Sequence, residues 1–239
     1  MKKSETTRRY VAFLIGLLLS AFGAVFVIRA ALGTSPIAAI PYSLSLIVPR
    51  LTLGNWTIIM NIVLILVQVI LLKGKMNVFQ VFLQVLTTFL YGYFSDFFMW
   101  VLQAYAPSLY IVKLCSLVAG CAIIAFGLYL EITADVTMLP GDAFVRAIAK
   151  VSHKEYGTIK TISDVSMTVI AATLCLVFLK KLVGVREGTI IISLITGNIM
   201  SFYNARFKRF SNWLVLGAKN DNEKNTDTSS LNSNLSNCN

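Results

Sequence analysis

Arg29, Asp96, Glu131 and Asp164 each stand inside, or at the end of, a long uncharged apolar run, and Asp142 opens a short amphipathic one. Ionisable side chains are costly within a bilayer and usually face a partner, a bundle interior or a water-filled path. Arg29 closes the first run. There a guanidinium binds an anion, pairs with a carboxylate across the bundle, or snorkels to the headgroups. Glu131 and Asp135 end the fourth run, where a carboxylate gates a proton or cation, or is solvated at a helix end. Asp164 follows Lys160 by four residues, the spacing of an ion pair on one helix face. Asp96 stands among Tyr91, Tyr93, Phe94 and Phe97. Buried carboxylates of this kind carry protons or cations in transporters, and buried ion pairs are also simply structural. Asp142 is placed to cap a short helix and to pair with Arg146 at i+4. If that helix re-enters the membrane, Asp142 lies near a solute path.

Enzyme chemistry finds little to work with. His153 is the one histidine and sits on a charged segment. HExxH, a GxSxG elbow, a Walker A sequence and a dinucleotide fingerprint are all absent from the sequence. The stretch MLPGD resembles the GxGD motif of intramembrane aspartyl proteases, but Leu139 occupies its first glycine position. Cys115, Cys121, Cys175 and Cys238 show no metal-ligand spacing and read as small packing residues. We therefore expect no catalytic site, no metal and no cofactor.

The elements that must position these groups follow from composition. Of 239 residues, 56% are apolar and only 13% charged, and the mean hydropathy is +0.74. Soluble domains carry about 25% charged residues. A soluble enzyme, a disordered chain and a collagen-like fibre are excluded, and an integral membrane protein is indicated. Six spans are expected: Tyr10–Ile28, Trp56–Leu72, Val78–Leu102, Leu109–Leu130, Ile159–Leu179 and Thr189–Phe207. Residues 1–9 form a basic N-terminus, and residues 208–239 read as a disordered polar tail.

The net charge of +10 reflects topology rather than nucleic-acid binding, since no basic face is interleaved with aromatics. With the N-terminus in the cytoplasm, the inside segments carry Lys2, Lys3, Arg8, Arg9, Lys73, Lys75, Arg146, Lys150, Lys154, Arg206, Lys208, Arg209, Lys219 and Lys224. The outside loops carry Arg50, Lys180, Lys181 and Arg186. That asymmetry places both termini inside.

Two segments are too short or too interrupted to span. Thr34–Arg50 contains Pro36, Pro41 and Pro49, and Pro140–Glu155 has Asp142, Arg146 and Lys150 on one face. Pro36 suits the first position of a helix. Both segments are expected to be short helices that lie at the interface or re-enter the membrane.

The segments are related by an internal repeat. Aligning Gly16 with Gly120 lays GLLLSAFG over GCAIIAFG, and Pro36 falls on Pro140. Ile28, Ala30 and Ala39 also match, giving eight identities in thirty positions. After a one-residue deletion Gly54 meets Gly157 and Asn61 meets Asp164, and Gly92 later faces Gly197. The expected fold is all-α, with residues 10–103 and 104–207 forming two repeats of three spans. Each repeat has a short interfacial or re-entrant helix after its first span. Three crossings are an odd number, so the second repeat is inverted, an architecture used by secondary transporters. Gly16, Gly23, Gly120 and Gly127 are expected to allow close helix packing.

IRAALGTSPIAAIPYSLS, LGNWTI and GLYLEITADVTMLPGDAFVRAIAK resemble the YczE/YyaS/YitT family of bacterial membrane proteins, over about residues 10–207. The resemblance implies a six-helix protein of the bacterial cytoplasmic (inner) membrane, without a settled activity. That family carries an acidic residue two positions after the repeat proline. This chain has Ala38 in the first repeat and Asp142 in the second.

The function expected is transport of a small solute, as a carrier or channel with its site where the repeats meet. The alternative is a non-transporting scaffold or accessory subunit of another membrane complex. The partners expected are the lipid bilayer and an unidentified small solute, with no nucleic acid. A homo-oligomer is compatible with the sequence.

Overall fold

The computed structural model describes residues 3–73, 77–184, 188, 189 and 192. Among the described residues seven α-helices are delimited: α1 (Lys3–Ala30), α2 (Pro36–Ile47), α3 (Leu53–Leu71), α4 (Val78–Val101), α5 (Tyr110–Ala134), α6 (Pro140–Ser152) and α7 (Tyr156–Leu174). A π-helical turn, Cys175–Leu179, extends α7. Among the described residues five helices are long and apolar enough to cross a membrane: Thr6–Ala30, Leu53–Leu71, Val78–Val101, Tyr110–Ala134 and Tyr156–Leu179. The chain is a multi-pass helical membrane protein. The expected sixth span, Thr189–Phe207, lies outside the described residues except for Thr189 and Ile192, as does the polar tail.

The outward faces are those of a lipid-solvated bundle. Phe79, Phe82, Phe89, Phe97 and Trp100 along α4 are exposed, whereas Gln84, Thr88 and Ser95 on the same helix are buried. A span that turns its aromatics out and its polar groups in is arranged for a solvent as apolar as its own side chains.

The core is built on the α1–α5 pair, and four glycines set its closeness. A methyl group on Gly16 would lie 2.8 Å from the Gly127 carbonyl oxygen, and one on Gly23 would lie 3.0 Å from that of Gly120. Any side chain there would push the backbones apart. Residue 16 lies against 127 and 23 against 120, so the two helices run antiparallel. They also end alike. Ala31 and Asp135 take left-handed backbone (φ 56° and 49°), and their N–H groups donate to Ile28 and Ile132 respectively.

Both prolines open their helices as the sequence suggests, Pro36 in α2 and Pro140 in α6. Proline is tolerated there because a first-turn N–H has no intrahelical partner to lose. Neither helix has a side-chain N-cap.

The two short helices return to the middle of the bundle. Ala30 and Ala134 each lie seven residues beyond the glycine contacts, on opposite sides of the crossing. At 1.5 Å rise per residue these ends are about 30 Å apart along the bundle. Yet Gly141, in the first turn of α6, lies directly against Ile37 in the first turn of α2. Ile37, Ala39 and Ile40 pack with Met60 and Leu64 from the middle of α3, Phe144 of α6, and Met167 and Ala171 of α7. Each linker therefore doubles back. Packing is crossed as well: α2 lies on α7, and α3 lies on α6.

Candidate functional site

Glu131 is the most enclosed carboxylate among the described residues, at 3% exposure. It stands one turn past Gly127, on the face of α5 that the glycines hold against α1. The Ser20 hydroxyl of α1 donates to Glu131 Oε1 at 2.7 Å. Glu131 Oε2 is buried and has no hydrogen-bond partner among the described residues. A buried polar atom left unpaired is costly, more so for a carboxylate, so such an atom asks for a functional account.

Helix α4 carries a polar stripe. Gln84, Thr88, Tyr91 and Ser95 follow the spacing of a single face of α4. Gln84, Thr88 and Ser95 are buried, and Gln84 Oε1 and Thr88 Oγ1 are without a partner among the described residues. Tyr91 is near enough to Glu131 to interact with its charge. Gln68 of α3 is likewise buried with an unpartnered Oε1. None of these neutral residues carries a charge that marks it in the sequence. The polar period along the third apolar run was the signal that could have found them.

An ionic cluster joins α6 to α7. Asp142 Oδ1 accepts from Lys160 Nζ at 3.0 Å and from the Tyr156 hydroxyl at 3.3 Å. Lys160 also reaches Asp164 Oδ1 at 3.5 Å, the i,i+4 pair expected within α7. The pairing expected for Asp142 is corrected here: it neither caps α6 nor bonds Arg146, but crosses to α7. Asp142 lies in the third position of α6, and the long stem of Lys160 carries an ammonium to it from the neighbouring helix. Two carboxylates thus share one ammonium. Asp142 also interacts electrostatically with Glu131, so the cluster and the buried acid form one neighbourhood.

Arg29 and Asp96 lie elsewhere. Arg29 is nine residues beyond Ser20, about 14 Å along α1. Its Nη2 donates to the Met99 carbonyl at 2.7 Å, in the last turn of α4. That carbonyl is among those a helix end leaves without a backbone partner, and a cation is favoured there. Asp96 caps α3 from the side: Oδ1 accepts from the Gly54 N–H at 2.7 Å and Oδ2 from the Thr52 hydroxyl at 2.6 Å. The close approach of Gly54 and Gly92 brings it there. The structure therefore brings together Glu131, Asp142 and Asp164, with Lys160, and leaves Arg29 and Asp96 at helix ends. Gly16, Gly23, Gly120 and Gly127 line the seam beneath Glu131.

The model of DUF6198, a family of unknown function, matches residues 7–205. The chain belongs to this family. No curated protein and no solved structure matches it. The DUF6198 match covers α1 from Thr7 onward, all of α2 to α7 and all the residues of the Glu131 neighbourhood. It stops short of the polar tail.

Proposed function

We propose that this DUF6198 protein moves a small solute across the bacterial cytoplasmic membrane, with Glu131 as a proton- or cation-accepting group at the interface of two inverted repeats. The unpartnered Glu131 Oε2 carries the reading. A carboxylate held between antiparallel helices, in electrostatic reach of Tyr91 on α4 and Asp142 on α6, is placed to take up a proton or cation.

The inverted repeat is supported by reciprocal contacts. Gly16 touches Gly127 and Gly23 touches Gly120, which are the partners a two-fold axis would exchange. The α2–α7 and α3–α6 contacts exchange in the same way. Transporters of this architecture place their sites between the repeats near the midplane, often at discontinuous helices. Six crossings with both termini inside follow from the distribution of basic residues. The resemblance to the YczE/YyaS/YitT family fits the same arrangement.

In this scheme the solute passes along the α4 stripe, and Glu131 exchanges a proton or cation as α6 shifts against α7. The Asp142–Lys160–Asp164 cluster sets the resting position of α6. Arg29 is assigned to the fold rather than to solute binding. The test is reconstitution into vesicles containing a pH-sensitive dye, challenged with a panel of small polar solutes. A solute that drives dye response with the parent protein and none with Glu131→Gln supports the scheme. Equal responses from both proteins would remove Glu131 from it.

A second reading, a non-transporting scaffold or accessory subunit, draws on Arg29 and Asp96, since both are committed to capping helix ends. Vesicles that stay silent for every solute, together with copurification of a defined membrane complex, would favour it.

A further inference from the structure

We propose that the end of the α6–α7 hairpin is a binding site for the phosphate of an anionic phospholipid. A cavity of about 450 Å³ opens there, lined by Arg146, Lys150 and Lys154, with Tyr156 and the apolar Ile132 and Met138. Arg146 and Lys150 are one turn apart on α6, and Lys154 follows the left-handed turn at His153. That turn folds the chain back, so the third cation joins the first two.

The charge balance of this cavity is one-sided. Asp142, the carboxylate that could have neutralised Arg146, is bonded to Lys160 and Tyr156. Among the described residues Arg146, Lys150 and Lys154 form no ion pair. Exposed Glu155 adjoins Lys154 in the chain and does not line the cavity. Three cations are thus held together by the fold without a fixed anion, an arrangement that attracts a phosphate.

The setting selects a lipid over a free ion. The cavity lies where the α5 span ends and the α7 span begins, and the ends of spans are where a helix meets the headgroups. Ile132 is itself more than half exposed beside it. Cations at one wall and aliphatic side chains at the other match a phosphate joined to an acyl chain. Basic pockets between transmembrane helices hold anionic headgroups in this way.

The test uses the full chain in nanodiscs of phosphatidylcholine and phosphatidylglycerol with identical acyl chains. Bound lipid is counted by native mass spectrometry after mild extraction. The parent protein should retain phosphatidylglycerol at least about tenfold over phosphatidylcholine. The variant Arg146→Gln/Lys150→Gln/Lys154→Gln should lose that preference, and Arg50→Gln/Lys180→Gln/Lys181→Gln, of equal charge change, should keep it. Equal retention of the two lipids by the parent would overturn the proposal whatever the variants do. So would equal loss in both variants. Full displacement of phosphatidylglycerol by millimolar inorganic phosphate would identify a free-anion site and overturn the assignment to lipid.

Discussion

Ser20 and Glu131 are joined by a 2.7 Å hydrogen bond across the α1–α5 seam, while Ile124 and Val27, which the Gly16–Gly120 sequence alignment sets against them, are both apolar. A methyl on Gly127 would meet Ser20, and one on Gly23 would meet Ile124; a methyl on Gly16 would meet Glu131, and one on Gly120 would meet Val27. The two ends of the seam are therefore matched in shape and unequal in polarity. One end carries a carboxylate and the other is sealed by aliphatic groups.

Ser20→Ala removes the donor and leaves both Glu131 oxygens without a partner. A loss of about 1–3 kcal/mol is expected for such a group. Glu131→Gln keeps an acceptor for Ser20 and should unfold close to the parent temperature. Thermal unfolding in detergent measures both. An unchanged midpoint for Ser20→Ala would mean that the bond does not stabilise the seam.

Gly127→Ala and Gly157→Ala make a matched pair. The added methyl on Gly127 collides with Ser20 and the Gly16 carbonyl, whereas nothing lies within 4 Å of one on Gly157. The first variant should lose several degrees of thermal stability. The second should gain slightly, since alanine is favoured over glycine in a helix by about 1 kcal/mol. Equal melting points would place the α1–α5 contact elsewhere.

Lys160→Met should cost more than Asp142→Asn or Asp164→Asn. Removing the ammonium leaves two facing carboxylates unscreened, but removing either carboxylate leaves one ion pair. Adding Asp142→Asn to Lys160→Met should restore part of the loss. If the double variant is no better than Lys160→Met alone, the cluster is not electrostatically coupled.

Asp96→Ala frees the Gly54 N–H and the Thr52 hydroxyl at the start of α3. Losing a helix cap costs about 1–2 kcal/mol. Asp96→Asn, which retains one acceptor, should recover part of it. Unfolding curves that place alanine and asparagine together would show that the cap is not the source of the effect.

Ser108→Cys and Ser152→Cys, in a background lacking the four native cysteines, should be labelled from opposite sides of the membrane. Ser108 should react with an impermeant reagent from outside. Reaction of Ser108→Cys only from the cytoplasm would reverse the orientation argued from the basic residues.

Much of the fold could be read locally. Five apolar runs became helices because their length and hydropathy are properties of contiguous residues, and Pro36 and Pro140 opened helices because a first-turn proline loses nothing. The matching glycines marked the seam in advance, since close approach needs small side chains wherever the partner lies. Sequence separation also allowed the Lys160–Asp164 pair, one turn apart on one helix.

Partner choice across helices was decided by the tertiary structure. Arg146 and Lys160 are both plausible mates for Asp142, and the crossing of α6 and α7 selects the residue 18 positions away over the one at i+4. Nothing near Arg29 in the chain points to Met99, 70 positions on, and nothing near Glu131 points to Ser20, 111 positions back. Such contacts depend on how helices cross, and a one-dimensional period does not encode the crossing. The neutral groups of α4 became part of a candidate path for the same reason. A glutamine or threonine in an apolar run has no charge to betray it, and its meaning depends on whether the fold turns it toward lipid or toward a buried acid.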